Sequence, residues 1–306
     1  MIKMLKEEAV EHGDKLQLIP IERLLNLHHE LQAFEENEEL NGFQKWIIND
    51  LYKFDVPEVG FTIKSIILIA LPHPSHAKIE FISRGEEYNF VSLVMPDFDR
   101  TEKYLKDFLA IKNYHIEEAP NIPMKRLAAQ SGLAAYGKNN ICYIEGMGSM
   151  FSFAAYFTDI TCKEKEDDWS SMRHTDACAN CLICQNNCPT GAIRADRFLI
   201  DNEKCLSFFN EGPGDFPDWL PTSAHHSLYD CLKCQMKCPM NKDYVNHMIG
   251  PIKFDENETD MLLTGNPYEN FSPELKDKAK LLGFDKWLPA IPRNLKTLIK
   301  LSNEND

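Results

Sequence analysis

Apolar residues recur at helical spacing through the first fifty positions, at Leu24, Leu25, Leu27 and Leu31 and again at Phe43, Trp46 and Ile47, with charged residues between them. Side chains three and four apart share a helix face, so this spacing predicts a pair of surface-packed helices. The pattern then changes. Residues 61–70 are β-branched and almost continuously apolar, as a strand buried on both faces must be, and Pro72 and Pro74 end it. The run KIEFISRGEEYNFVSLVMP (78–96) alternates about Arg84-Gly85 and predicts a β-hairpin.

Asp99 as N-cap and Glu102 three residues on predict a helix start, with Tyr104, Leu105, Phe108 and Leu109 on its apolar face. A second helix is expected in MKRLAAQSGLAAYG (124–137), closed by Gly137. Two strands, 141–144 and 151–157, flank the glycine-rich turn 145–149, and the charged stretch 163–171 reads as a linker. Apolar positions at Leu281, Leu282, Phe284, Trp287 and Leu288 predict short helices in the tail. This mixture predicts an α/β (α+β) fold in three parts: a binding domain at 1–162 with amino-terminal helices, a cysteine-rich domain at 163–245, and a helical tail at 246–306.

With 306 residues, 43% of them hydrophobic, the chain can bury a sizeable core. Its start, MIKMLKEEAVEHGDK, has no apolar targeting region, and the longest apolar run, 66–71, is far below the ~18 residues of a membrane span. A cytoplasmic protein with no membrane partner is expected. The formal charge of −14 weighs against broad capture of nucleic acid, so tRNA is not expected as a partner, although a local basic patch is compatible with that sum.

Eight of the ten cysteines crowd into 178–238, which in a reducing compartment points to metal ligation. Cys178-x2-Cys181-x2-Cys184-x3-Cys188-Pro189 is the run of bacterial ferredoxins, in which the fourth cysteine serves the other cluster. Zinc sites also use C-x2-C pairs but do not need this third cysteine and x3-C-P, so the run points to iron–sulfur chemistry. The second run, Cys231-x2-Cys234-x3-Cys238-Pro239, has three cysteines. With Cys238 joining Cys178, Cys181 and Cys184 at one [4Fe-4S] cluster, the other has Cys188, Cys231 and Cys234. Cys205 is the one cysteine between the runs. Taken singly it also reads as a buried thiol, but eight ligands for two cubanes favour it as the missing corner. Cys142 and Cys162 read as core thiols, and His174, His225 and His226 as structural rather than iron-bound.

Three groups of segments then carry a family resemblance: LAAQSGLAAYGKNN (127–140), GMGSMFSFAAYFTDI (146–160), and CANCLICQNNCPTGAI with CLSF and CLKCQMKCP. They resemble the iron–sulfur proteins related to epoxyqueuosine reductase and, more distantly, the corrinoid-dependent reductive dehalogenases. The resemblance implies a nitroreductase-like core with an attached bacterial-type two-[4Fe-4S] ferredoxin module. It also implies a base-off cobalamin and an external electron donor such as a ferredoxin or flavodoxin. Tyr136, Gly137, Lys138, Asn139, Gly146, Gly148 and Ser149 are the positions it offers for a corrinoid or substrate pocket, Lys138 also as a catalytic cation. Where the family carries a GRDYH-type acid segment, this chain has Gly85-Glu86-Glu87-Tyr88-Asn89. Glu87 is the candidate acid, and it reads equally well as part of an exposed hairpin turn.

The function expected from these readings is reductive deoxygenation or dehalogenation of a small or nucleoside-like substrate by a corrinoid and iron–sulfur enzyme. Two alternatives stand beside it: a two-cluster electron carrier with no corrinoid, and an epoxyqueuosine reductase acting on tRNA. The acidic balance, the altered acid segment and the short stretch after Cys238 weigh against the last.

Overall fold

The computed structural model describes residues 1–36, 40–162, 169 and 172–305. In chain order its helices are α1 (Ile2–Glu11), α2 (Ile21–Glu35), α3 (Gly42–Trp46), α4 (Phe98–Ile111), α5 (Met124–Gln130), α6 (Ile183–Asn186), α7 (Leu206–Glu211), α8 (Lys233–Met236), α9 (Glu256–Thr264), α10 (Pro273–Leu282), α11 (Phe284–Trp287) and α12 (Ile291–Asn305). Its strands are β1 (Lys15–Pro20), β2 (Ser65–Pro72), β3 (Ala77–Ser83), β4 (Glu86–Ser92), β5 (Ile116–Glu118), β6 (Ala135–Tyr136), β7 (Cys142–Tyr143), β8 (Phe151–Thr158) and β9 (Ile249–Phe254). The expected mixture of helix and sheet is present. Among the described residues, no helix is long and apolar enough to cross a membrane.

Two compact units divide the chain, one of residues 1–72 and 96–179, the other of 73–95 and 180–306. This differs from the expected three-part division. The reason is pairing: β3 takes β4 on one side and, in parallel, β9 on the other, so the hairpin and the tail belong with the cysteine-rich segment. The linker expected at 163–171 lies, apart from Trp169, outside the described residues.

In the first unit a four-stranded antiparallel sheet runs β1-β2-β8-β5. Residues 66–71 of β2 are wholly buried, as their continuous apolar character requires. Leu5 and Ala9 of α1 and Leu105 and Leu109 of α4 join Ile67, Ile69 and Leu71 in one core. Strand β1 lies inside the stretch read as helical: its alternation, Lys15 and Gln17 against Leu16 and Leu18, covers only four residues before Ile19-Pro20 break it. Helix α4 starts two residues earlier than expected: Asp97, not Asp99, accepts from the Arg100 N–H at 2.9 Å. Both aspartates fit the local pattern, and burial of Phe98 against the core decides between them. The helix expected over 124–137 stops at Gln130, Gly132 follows at φ 76°, and Ala135-Tyr136 pairs instead with Cys142-Tyr143. A four-residue apolar run cannot distinguish helix from strand, and here pairing across the sheet wins.

The second unit is built on the sheet β4-β3-β9. Arg84 and Gly85 take φ 54° and 77° at the β3–β4 turn, the left-handed pair that a tight two-residue hairpin needs. Phe81 of β3 stacks on Phe254 of β9, and Phe254 on Phe284, in a core completed by Leu275, Leu282, Ile291 and Leu295. The tail expected to be helical over 246–306 opens instead with strand β9 and is mainly helical only from Glu256 onward, because its first residues find a parallel partner in β3.

One buried carboxylate ties the first unit together. Asp14, with no exposed surface, accepts from Arg100 Nη2 at 2.6 Å, Thr101 Oγ1 at 2.9 Å and Tyr104 Oη at 2.8 Å, so the α1–β1 turn is fastened to α4. Asp14→Ala strands the buried Thr101 and Tyr104 hydroxyls and takes the carboxylate partner from the more exposed Arg100, and is expected to cost about 3 kcal/mol in urea unfolding. A loss below about 1 kcal/mol counts against this role.

Candidate metal centre

The two C-x2-C-x3-C runs of the second unit fold into the same local shape. In each, a single helical turn, α6 or α8, carries the middle cysteine, Cys184 or Cys234. The Asn186 N–H donates to the Leu182 carbonyl at 2.9 Å and the Met236 N–H to the Leu232 carbonyl at 2.8 Å. The Cys188 and Cys238 N–H groups then donate to the Gln185 and Gln235 carbonyls at 3.2 and 3.1 Å. Pro189 and Pro239 have no N–H to continue the helix, so the chain turns away at these last cysteines. Helix α6 packs against α8, and the cysteines at 181, 184, 188, 231, 234 and 238 are half-buried and in no disulfide.

Cys205 comes from a separate loop, and Asp230 brings that loop to Cys231. Asp230 has φ 57°, a left-handed conformation that aspartate tolerates better than most residues. Its carboxylate accepts from the Ser207 hydroxyl at 2.5 Å and the Cys231 N–H at 2.6 Å, while its carbonyl accepts from Asn210 Nδ2 at 2.8 Å and Ser227 Oγ at 3.1 Å. Buried Asn294 of α12 reinforces the joint by donating to the Asn210 and Leu228 carbonyls at 2.7 and 2.9 Å. The sequence reading missed Asp230; an aspartate before a cysteine looks like any turn residue.

Burial pushes the Cys231 thiol up to about 12, and the charges of Cys205, Asp230 and Cys188 push the same way. Cys205 is likewise raised, by burial first, with Asp230 and Cys188 adding to it. The charges of Cys188 and Cys205 thus both reach Cys231. Thiols in such surroundings stay protonated at neutral pH unless a soft cation replaces the proton, which suits them to iron–sulfur ligation. Among the described residues, no three His, Cys, Asp or Glu groups close on a point as ligands of a single ion do.

Cys178 ends the first unit in the 3-10 turn Asp176–Cys178, capped by Thr175 Oγ1 accepting from the Ala177 N–H at 3.3 Å. Strand β6 holds the approach to that turn. The Tyr136 N–H donates to the Arg173 carbonyl at 2.8 Å and the Thr175 N–H to the Tyr136 carbonyl at 2.9 Å, with His174 bridging to Tyr136. Lys138 Nζ donates to the Ala179 carbonyl at 3.0 Å, so this cation fastens the backbone next to Cys178.

The other residues offered by the resemblance gather in the same part of the first unit. Tyr136, Gly137, Asn139, Gly148 and Ser149 are buried and Gly146 is exposed. Asn139 Nδ2 donates to Tyr143 Oη at 3.0 Å, and a Cβ on Gly137 would come within 2.6 Å of the Tyr143 ring, so glycine is needed there. Gly148 closes the turn by bridging to Ile144. Glu87 lies in the second unit, exposed at the start of β4, where its Oε1 accepts from Asn89 Nδ2 at 3.1 Å. Cys142 and Cys162 donate weakly to the Lys125 and Leu18 carbonyls, at 3.8 and 3.6 Å.

Residues 177–241, which include all eight clustered cysteines, match the family described as a 4Fe-4S double cluster binding domain. The chain is 26% identical over 271 residues to the epoxyqueuosine reductase of Bacillus subtilis (strain 168), covering 81% of this chain and 66% of that protein. To the epoxyqueuosine reductase of Francisella cf. novicida (strain Fx1) it is 25% identical over 216 residues, covering 70% and 57%. It thus spans a little under two thirds of the length of these curated relatives. Among solved structures, an epoxyqueuosine reductase with a tRNA-Tyr epoxyqueuosine-modified tRNA stem loop matches at TM-score 0.63 and 21% identity, over 98% of this chain and 82% of that one. The Bacillus subtilis enzyme matches at TM-score 0.60 and 21% identity, with the same coverage. The fold is shared.

These findings overturn the exclusion of tRNA. A relative with this fold has been solved with a tRNA stem loop. Net charge sums over the whole chain, whereas a nucleic acid meets only the local field of one face.

Glu211, at the end of α7, is pushed up to about 8 from an ordinary 4.5, by burial first and then by the charge of Asp230. The folded state therefore keeps a proton that the unfolded chain releases above pH 4.5. Stability is expected to fall by up to about 1.4 kcal/mol per pH unit from there until Glu211 ionises in the folded protein. Glu211→Gln should abolish that slope, matching the native protein near pH 4.5 and exceeding its melting temperature near pH 8. Parallel melting curves for the two proteins across this range count against the assignment.

Proposed function

We propose that this chain, related over most of its length to the epoxyqueuosine reductases, is a cytoplasmic iron–sulfur oxidoreductase that removes the epoxide oxygen of epoxyqueuosine in a tRNA stem loop. The observation that carries the proposal is the double-cluster segment at 177–241 in a chain that aligns over 81% of its length with a curated epoxyqueuosine reductase. Loss of an epoxide oxygen to leave an alkene consumes two electrons and two protons and releases water. A one-electron donor of the ferredoxin or flavodoxin class supplies the electrons.

We assign Cys178, Cys181, Cys184 and Cys238 to one [4Fe-4S] cluster and Cys188, Cys205, Cys231 and Cys234 to the other. Bound there, the clusters supply stepwise one-electron transfer. The protein's part is to keep the thiolates in register. Asp230 fixes Cys231 relative to the Cys205 loop, and Lys138 fixes the backbone beside Cys178. Glu87 is the proposed proton donor, its exposed carboxylate able to exchange protons with water. A corrinoid draws no support from Tyr136, Gly137, Asn139, Gly148 and Ser149, which are buried in the packing of their own turns, and we route no electron through cobalt.

The test is anaerobic assembly followed by reaction with an epoxyqueuosine-bearing RNA stem loop, a chemical reductant and a donor protein. About eight irons per chain and loss of one oxygen from the nucleoside are expected; an unaltered nucleoside at full iron loading overturns the reading. Cys205→Ala should remove about half the iron and one of two paramagnetic signals. Iron content and spectrum equal to those of the native protein remove Cys205 from the ligand set. Normal turnover by Glu87→Gln removes that residue from the chemistry.

A further inference from the structure

The second unit has two cavities that the proposed chemistry leaves unused. One, of about 550 Å³, is lined by Lys78, Asn89, Phe90, His225, His226 and Ser302, among others. The other, of about 160 Å³, is lined by His76, Lys233 and Lys237 with apolar neighbours. They share Val91 and His226 and so adjoin each other at β4. Neither lining contains a carboxylate, in a chain with 47 acidic residues against 33 basic ones.

Some lysines of the same unit are held by carboxylates. Lys253 pairs with Glu80, Lys278 with Glu258 and Lys204 with Asp201. Among the described residues, Lys78, Lys233 and Lys237 make no ion pair. Burial holds His76, His225 and His226 below the usual imidazole range. The positive charge along the groove is therefore that of the lysines, while the neutral imidazoles and the side chains of Asn89 and Ser302 add hydrogen-bonding groups. With no carboxylate in the lining, the lysine side chains are open to an anion that approaches from solvent.

We propose that this groove, Lys78–Lys233–Lys237 with Phe90 and His225 on its wall, binds the phosphodiester backbone of the RNA stem loop. The inference rests on the tRNA reading above and goes beyond it by naming the surface. Charge complementarity favours a polyanion, and the concavity favours a strand with protruding phosphates over the convex face of a folded acidic donor protein. Lysine is suited to such contacts as a point charge on a flexible stem. Half-buried Phe90 offers a ring face against which a sugar or base can pack.

The experiment measures binding of a fluorescent RNA stem loop to the iron-loaded protein by anisotropy at several salt concentrations. Native protein is compared with Lys78→Gln, Lys237→Gln and the triple variant that adds Lys233→Gln. Iron content and paramagnetic spectrum are checked for each, and only cluster-loaded variants are compared. Each single change should weaken binding about fivefold near 0.1 M salt and lower the salt slope by about one ion, with a larger loss in the triple variant. Unchanged affinity and slope in Lys78→Gln and Lys237→Gln, with native protein binding normally, overturn the groove. Slower reduction by an acidic donor protein with RNA binding intact also overturns it, assigning the surface to protein docking instead. If native protein does not bind the stem loop at all, the tRNA reading itself falls, which the variants are not needed to show.

Discussion

Four thiolates can surround one cluster only if the backbone brings them in from turns, because helices and strands spread their side chains along an axis or onto opposite faces. That constraint governs the cysteine-rich unit. Turns have few hydrogen bonds of their own, so each ligand-bearing loop must be fastened to something rigid. Asp230 meets this need most directly: one residue in a left-handed conformation caps the Cys231 N–H, holds Ser207 beside Cys205, and receives Asn210 and Ser227 on its carbonyl. Asn294 extends the same network to α12, whose inner face lies in the unit's hydrophobic core.

The repeated turns around α6 and α8 show how a short signal encodes geometry. A single helical turn followed by Cys-Pro gives the same hydrogen bonds at 2.8–2.9 Å and 3.1–3.2 Å in both copies. Proline ends the turn because it lacks an N–H, and the last cysteine is carried away from the first two. The burial that raises Cys205 and Cys231 has the same origin as the fastening network. Cys231 packs against the apolar cluster of Leu206, Leu220 and Ala224, where an uncompensated thiolate is costly.

The first unit contributes in a different way. Its segment 135–138 is read from the sequence as a helix end with a free cation, but in the fold it pairs with residues 173–175, and Lys138 spends its hydrogen bond on the Ala179 carbonyl. The side chain that looked catalytic supports the peptide next to a proposed ligand. Likewise, the glycines there accommodate a packed ring and a bridged turn; Gly137 leaves room for Tyr143.

Elements whose signals are local can be read directly from the order of residues. The buried strand β2, the β3–β4 hairpin about Arg84-Gly85 and the paired C-x2-C-x3-C-P turns follow from period, turn chemistry and spacing, each complete within about twenty residues. The remaining features arise only when distant segments meet. The start of α4 at Asp97, the early end of α5 and the pairing of β9 with β3 depend on burial or on partners distant in the chain. So does the joint at Asp230, whose neighbours come from positions 207, 210, 227 and 231. The charge pattern makes the same point, since a sum of −14 describes the chain while folding sorts three unpaired lysines and no carboxylate onto one groove. Electrostatic recognition depends on where charges lie, and their places are fixed only when distant segments pack.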